Sequence, residues 1–255
     1  MEQWVVCAGV RPAARMRLFC FSYAGAGIAV FRNWCHEFQP AIEVCCIQLP
    51  GREQRWRERP LSSMGQLVPP LVDGLRPWLT LPYSFYGHSV GGRIAYEVAL
   101  KLRRSGLPQP EHLFVGATPA PQISTLRPPL NSMRDDEFLD QIQRRYGGVP
   151  KPILADPELL AALLPTLRAD VAVMETYNYV PDSPLDCPIT AIGGVSDRVV
   201  HEAALQAWSL QTNRRFKLHL LEGDHFFLQS QRQRLQALIS QELTCHWQLA
   251  ATTGP

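Results

Sequence analysis

Nowhere in this chain do about 18 apolar residues run together, so no segment is expected to span a bilayer. An excess of either charge is missing too. Against 25 Lys and Arg stand 23 Asp and Glu, and the formal net charge of +2 gives no footing for nucleic acid or an anionic membrane. Glu2 stands where a signal peptide wants positive charge, and the apolar stretch 4–10 is short, so no secretion leader is expected. There is no C-x-x-C pair. The seven cysteines are odd in number and include adjacent Cys45-Cys46 in an apolar run, which suits neither a disulfide framework nor a zinc site. Buried free thiols in a reducing cytoplasm, and no metal, are the expectation. Internal repeats and low-complexity stretches are absent as well.

What remains is an ordinary globular composition, 46% hydrophobic, over 255 residues: one α/β domain, 1–255, with room for an insertion. Short apolar runs at 18–21, 44–49, 84–86, 113–117, 189–192 and 217–221 alternate with helical patterns. That alternation predicts a mostly parallel central sheet with helices on both faces. Between 118 and 188 the pattern changes to two helices separated by Gly147-Gly148-Val149-Pro150-Lys151-Pro152. The first is expected to start at Ser132, with Asp135 three residues on. The second has Asp156 as N-cap, Pro157 in its first turn, and Pro165 as a kink. A helical excursion before the last strands reads as a lid, 118–188, inserted within the single domain. The run Arg52-Glu53-Gln54-Arg55-Trp56-Arg57-Glu58-Arg59, with glutamates between its arginines, reads as a solvated loop.

Chemistry concentrates at Ser84-Phe85-Tyr86-Gly87-His88-Ser89-Val90-Gly91-Gly92. An apolar strand leads into G-x-S-x-G, and a helix carrying Ile94, Val98 and Leu102 follows, stopping at Arg103-Arg104-Ser105-Gly106. A nucleophile elbow needs that order, because the serine hydroxyl must stand clear on a sharp strand-to-helix turn. Ser89 is the candidate nucleophile. A serine needs a base within hydrogen-bond reach, and on this kind of scaffold the acid and then the histidine follow in sequence. His225, just past the strand at 217–221, is the candidate base; His219 lies inside that strand, and His201 opens the helix around 203–208. Asp197, in the loop after the strand at 189–192, is the candidate acid. Asp224 is its rival, but neighbours on a loop usually point apart. The stretch 113–132, where an alternative acid could stand, holds no Asp or Glu. The oxyanion hole is expected from the backbone N–H groups of Val90 and of Ala24 or its immediate neighbours, in the small-residue loop Ser22-Tyr23-Ala24-Gly25-Ala26-Gly27. No G-x-x-x-x-G-K-S/T follows that loop, which excludes a phosphate cradle.

Taken together, these stretches resemble a known family. Phe21-Ser22-Tyr23-Ala24-Gly25 is similar to its F-P-x-A-G-G loop, and Phe31-Arg32-Asn33-Trp34 to its F-R-x-W. Gln48-Leu49-Pro50-Gly51-Arg52-Glu53 resembles Q-L-P-G-R-E, Gly87-His88-Ser89-Val90-Gly91 resembles G-H-S-M-G, and Gly223-Asp224-His225-Phe226-Phe227-Leu228 resembles G-x-H-F-F-L. The family is that of the type II thioesterases of nonribosomal peptide and polyketide assembly lines. Ser22 replaces a usual proline, Ala26 a usual glycine, and Val90-Gly91-Gly92 a more common Met-Gly-Ala. The resemblance implies an α/β-hydrolase fold and a Ser89–His225–Asp197 triad. It implies hydrolysis of acyl or aminoacyl thioesters on the phosphopantetheine arm of carrier proteins, editing stalled or aberrant intermediates. It further implies no cofactor, transient partnership with acyl or peptidyl carrier proteins, and a free-standing cytoplasmic chain, expected as a monomer.

Lid residues Phe138, Ile142, Leu160, Leu164 and Met174 are expected to shape the acyl chamber. Two other enzymatic readings stand beside this one, a medium-chain fatty acyl carrier thioesterase and a small-molecule carboxylesterase. A non-catalytic carrier-binding module is disfavoured by the joint presence of Ser89, Asp197 and His225.

Overall fold

The computed structural model describes residues 3–7, 11–123 and 129–252, apart from the side chains of Cys35, Lys151 and 245–252. Among the described residues seven strands form one sheet in the order β1-β3-β2-β4-β5-β6-β7. They are β1 (Val5–Cys7), β2 (Met16–Phe21), β3 (Ile42–Ile47), β4 (Tyr83–His88), β5 (Leu113–Gly116), β6 (Ile189–Gly194) and β7 (Phe216–Leu221). All neighbours are parallel except β1, which runs antiparallel to β3 at the edge. The expected mostly parallel α/β-hydrolase sheet is thus observed, with β1 the strand that the sequence reading omits.

Side chains alternate along β2: Phe19 and Phe21 enter one core, Leu18 and Cys20 the other. The first core packs under α2 (Met64–Leu75) and α3 (Val90–Arg104) through Leu71, Ile94 and Val98. The second packs under α1 (Trp34–Glu37) and α9 (Arg232–Thr252), where Leu235, Ile239 and Leu243 recur every four residues. Both sheet faces are therefore covered, as parallel strands require.

The chain leaves β2 for β3 on one side and then returns across it to β4 on the other. That reversal makes the carboxyl ends of β2 and β4 the topological switch point of the sheet, the position at which open α/β sheets bind their ligands. The segment between β5 and β6 is helical: α4 (Asp135–Tyr146), α5 (Lys151–Leu154) and α6 (Pro157–Glu175), with residues 124–128 outside the described ones. Asp156 caps α6 as expected, accepting from the N–H groups of Glu158 and Leu159 at 3.0 and 3.1 Å. The helix runs on through Pro165 as one element. Further on lie α7 (Glu202–Gln206), with His201 at its N-cap position but making no side-chain bond there, and α8 (Phe227–Ser230).

Three expectations are corrected. The first insertion helix starts at Asp135, not Ser132, and has no side-chain cap; three acidic residues in its first turn compensate the helix dipole instead. The cysteines are not all free. Once β1 pairs with β3, Cys7 stands opposite Cys45 with the Cα atoms 4.3 Å apart, and the two form a disulfide. Cys20 and Cys187 are free and buried, Cys46 is buried as well, and the side chains of Cys35 and Cys245 lie outside the described residues. Nor is the arginine run wholly solvated: Arg52 and Arg55 are buried. Arg55 lies over the Trp4 ring at 4.2 Å and donates to the Gln48 carbonyl at 3.0 Å.

Candidate active site

Ser89 sits at the junction of β4 and α3 with φ +55° and ψ −121°. A non-glycine residue held there is strained, and such strain clusters at functional sites. The flanking glycines make room for the turn. A Cβ on Gly87 would run into the Gly91 carbonyl, and a Cβ on Gly91 into the carbonyls of Phe21 and Ser22. Close approach of α3 to the end of β2 is what brings the elbow beside the loop 22–27. Val90, the first residue of α3, belongs to a turn whose N–H groups have no acceptor within the helix.

The serine hydroxyl donates to His225 Nε2 at 3.0 Å. On the far side of the ring, Nδ1 donates to Asp197 Oδ2 at 2.9 Å. Asp197 Oδ1 accepts from the N–H groups of Val199 and Val200, at 2.7 and 3.1 Å. Burial favours the neutral carboxyl, yet these bonds and the imidazole together hold the Asp197 pKa below its ordinary value. The structure thus brings together Ser89, His225 and Asp197 from three loops at the carboxyl edge of the sheet. Asp224 is elsewhere engaged, its Oδ1 accepting from the Phe226 N–H at 2.8 Å. The acid and histidine loops are sewn to each other, with Ser196 N donating to the Gly223 carbonyl at 2.9 Å and Val195 N to the Leu221 carbonyl at 2.9 Å. His219 lies in β7, and its pKa is lowered chiefly by burial.

Aromatic rings enclose the base. Tyr146 at the end of α4 meets the His225 ring edge-on at 5.3 Å, and Phe226 meets it at the same distance. Gly148, in the next turn, lies so near the Phe226 ring that a Cβ there would collide with it. The helical segment therefore reaches the histidine loop through Gly148, in the expected break between its helices, and through Tyr146, which no sequence pattern marks. Of the five expected chamber residues, Phe138 and Ile142 share one buried cluster with Val149 and Leu167, and Leu164 packs against it, as does Ala24 of the loop after β2. Met174 packs instead on the sheet core, and Leu160 joins neither cluster.

The only grouping among the described residues with metal-like donors is Cys7, Glu43 and Cys45, away from this site and already occupied by a disulfide and an Arg17 ion pair. No described helix is long and apolar enough to cross a membrane.

Comparison with known proteins converges on one family. The thioesterase domain model matches residues 16–243. The chain is 40% identical over 243 residues to the gramicidin S biosynthesis protein GrsT of Aneurinibacillus migulanus, covering 95% of this chain and 94% of that protein. It is 32% identical over 226 residues to the medium-chain S-acyl fatty acid synthase thioesterase of Homo sapiens, covering 87% and 84%. Among solved structures, the RedJ thioesterase from the prodiginine biosynthetic pathway of Streptomyces coelicolor aligns with a TM-score of 0.85 at 38% identity, covering 91% of this chain and 92% of that one.

Proposed function

Because this chain belongs to the thioesterase family, we propose that it is a type II thioesterase, acting in the cytoplasm, that removes acyl or aminoacyl groups from the phosphopantetheine arm of carrier proteins in nonribosomal peptide or polyketide synthesis. The observation that supports it is the continuous relay from Ser89 through His225 to Asp197, at 3.0 and 2.9 Å. In this reading Ser89 Oγ attacks the thioester carbonyl while its proton passes to His225 Nε2. Negative charge on the carbonyl oxygen is met by the N–H groups of Val90 and Ala24. The C–S bond then breaks, and the Nε2 proton leaves with the thiol. Water attacks the acyl-serine, giving one proton to Nε2, which returns it to Oγ as the carboxylic acid departs. Asp197 holds the Nδ1–H tautomer and offsets the imidazolium charge. The sum is thioester plus water to acid plus thiol, so the reaction calls for no cofactor.

The segment 118–188 is proposed as the lid, since Tyr146 and Gly148 touch the histidine loop and Leu163 and Leu167 face Gly25. A medium-chain fatty acyl carrier thioesterase is the second reading, favoured by the likeness to the human enzyme. Carriers loaded with aminoacyl, short-chain and medium-chain thioesters, each set against an oxygen ester of the same acyl group, separate the readings. Faster release from carrier thioesters of short or aminoacyl groups supports the first. A maximum at medium-chain fatty acyl groups supports the second, and preference for the simple esters contradicts both.

A further inference from the structure

The loop after β2 is held by residues remote from the triad. Tyr23, Ala24, Gly25 and Ala26 form a turn closed by Ala26 N donating to the Tyr23 carbonyl at 3.0 Å. Gly25 stands at φ +74°, and a Cβ there would crowd Leu167 at 3.1 Å and Leu163 at 3.3 Å. The Gly25 N–H donates to Asp170 Oδ2 at 2.8 Å, a carboxylate on α6 that is 145 residues away in sequence. Asp170 in turn takes both guanidinium arms of Arg52: Nη1 to Oδ2 and Nη2 to Oδ1, each at 2.8 Å. Arg52 Nη1 also donates to the Ala26 carbonyl at 2.9 Å, which accepts from the Ser22 hydroxyl as well. The next residue, Glu53, accepts from the N–H groups of Ile28 and Ala29 at 2.9 Å.

Asp170 is 2% exposed and Arg52 7%. Charges so far from water persist only when paired, and a bidentate arginine–carboxylate pair fixes orientation as well as position. The Gly25 N–H belongs to the Ala24–Gly25 peptide. By gripping it, Asp170 sets the plane adjoining the one that carries the Ala24 N–H.

We propose that Asp170 and Arg52 are positioning residues for the oxyanion hole, and that α6, by seating Asp170, couples the state of the helical segment to the assembly of the hole. This rests on Ser89 as nucleophile and Ala24 as oxyanion donor. With α6 seated, the Ala24 N–H is held on target. With α6 lifted, Gly25 loses its acceptor and Arg52 its counter-ion, and the loop relaxes. The Ser89–His225–Asp197 relay survives, because neither of its hydrogen bonds runs through Asp170. Hydrolysis is thereby confined to the seated state.

The test compares wild type, Asp170→Ala, Arg52→Lys and the double variant Arg52→Met/Asp170→Leu. The double variant removes both charges together, so it folds even where an unpaired Arg52 prevents the single variant from doing so. Each is assayed for thermal melting, for kcat and KM on an acyl-carrier thioester, and for affinity toward an acyl trifluoromethyl ketone, which forms a tetrahedral adduct with an active serine. The folded double variant should lose about 10- to 100-fold in kcat and the same factor in ketone affinity, with KM changed by less than about 3-fold. Arg52→Lys should fall between it and wild type, and the acid limb of the pH profile should not move. A folded double variant that keeps wild-type kcat and ketone affinity would overturn the proposal, as would a loss of kcat without a loss of ketone affinity. If wild type binds the ketone, and the double variant binds it as much more weakly as expected, while neither cleaves carrier thioesters, the substrate reading fails and this proposal stands. If wild type does not bind the ketone, Ser89 is not the nucleophile and both fall.

Discussion

His88 Nε2 donates to the main-chain carbonyl of His225 at 2.8 Å, tying the residue before the nucleophile to the backbone of the proposed base. A carbonyl only accepts, so Nε2 carries the hydrogen and Nδ1 accepts from the Tyr86 hydroxyl at 3.0 Å. The second of these bonds needs a neutral ring, because a protonated Nδ1 has no lone pair to accept with. Burial, aided by the neighbouring His225, pushes the His88 pKa down from 6.5 to about 3.

A pH dependence follows from that depression. Between about pH 6.5 and 3 the unfolded chain binds a proton at His88 that the folded chain refuses, so stability rises with pH across this window and is lost on acidification. The slope from this one group is about 1.4 kcal/mol per pH unit. Asp197, whose folded pKa is lowered, adds stability above its ordinary carboxylate range that is lost as pH falls through the folded value. Urea titrations at pH 7 and pH 4.5 should give a smaller difference for His88→Phe than for wild type. The variant should also lose about 1–3 kcal/mol at pH 7, because Tyr86 and the His225 carbonyl are left unpaired. Equal pH dependence in the two proteins would contradict the neutral, buried assignment.

The acid is tested by a pair of variants. Asp197→Asn should fold and lose about 10⁴-fold in kcat, because the imidazole loses its tautomer control and its charge partner. Asp224→Asn should cost far less, since the Asp224 carboxylate accepts from the Phe226 N–H and not from the imidazole, whose Nδ1 is taken by Asp197. Steady-state kinetics on one thioester would decide, and reversed effects would assign the acid to Asp224.

The proposed triad is readable in sequence because each member is announced locally, Ser89 by a strand and glycines, His225 and Asp197 by their places just past strands. Asp170 and Arg52 announce nothing of the kind. Their contact spans 118 residues, and a charge run does not say which of its arginines turns inward. One signal was available. Asp170 lies on the buried stripe of α6 with Thr166, Leu167, Ala169 and Val173, and a carboxylate on an apolar stripe needs a partner. Strand β1 is not legible in sequence because its three residues carry too little alternation to be distinguished from an irregular apolar stretch. Its omission hid the pairing of Cys7 with Cys45.

The helical segment is expected to set acyl preference. Leu164 packs beside the cluster holding Phe138 and Ile142, and Ala24 of the proposed hole touches the same cluster. Leu164→Phe should shift the preferred acyl length downward and Leu164→Ala upward, moving KM more than kcat. Carrier thioesters of graded length provide the measurement. An unchanged profile for both folded variants would place the acyl pocket elsewhere.

The central claim is that Ser89 carries out hydrolysis of a carrier-bound thioester. The most direct measurement follows an acyl-loaded carrier protein by intact-protein mass spectrometry, with wild type and with Ser89→Ala. Wild type should convert acyl-carrier to the free phosphopantetheinyl thiol catalytically, and Ser89→Ala should be slower by about 10³-fold or more, retaining only what binding and the oxyanion hole supply. Release of the acyl group by Ser89→Ala at the wild-type rate would contradict the account.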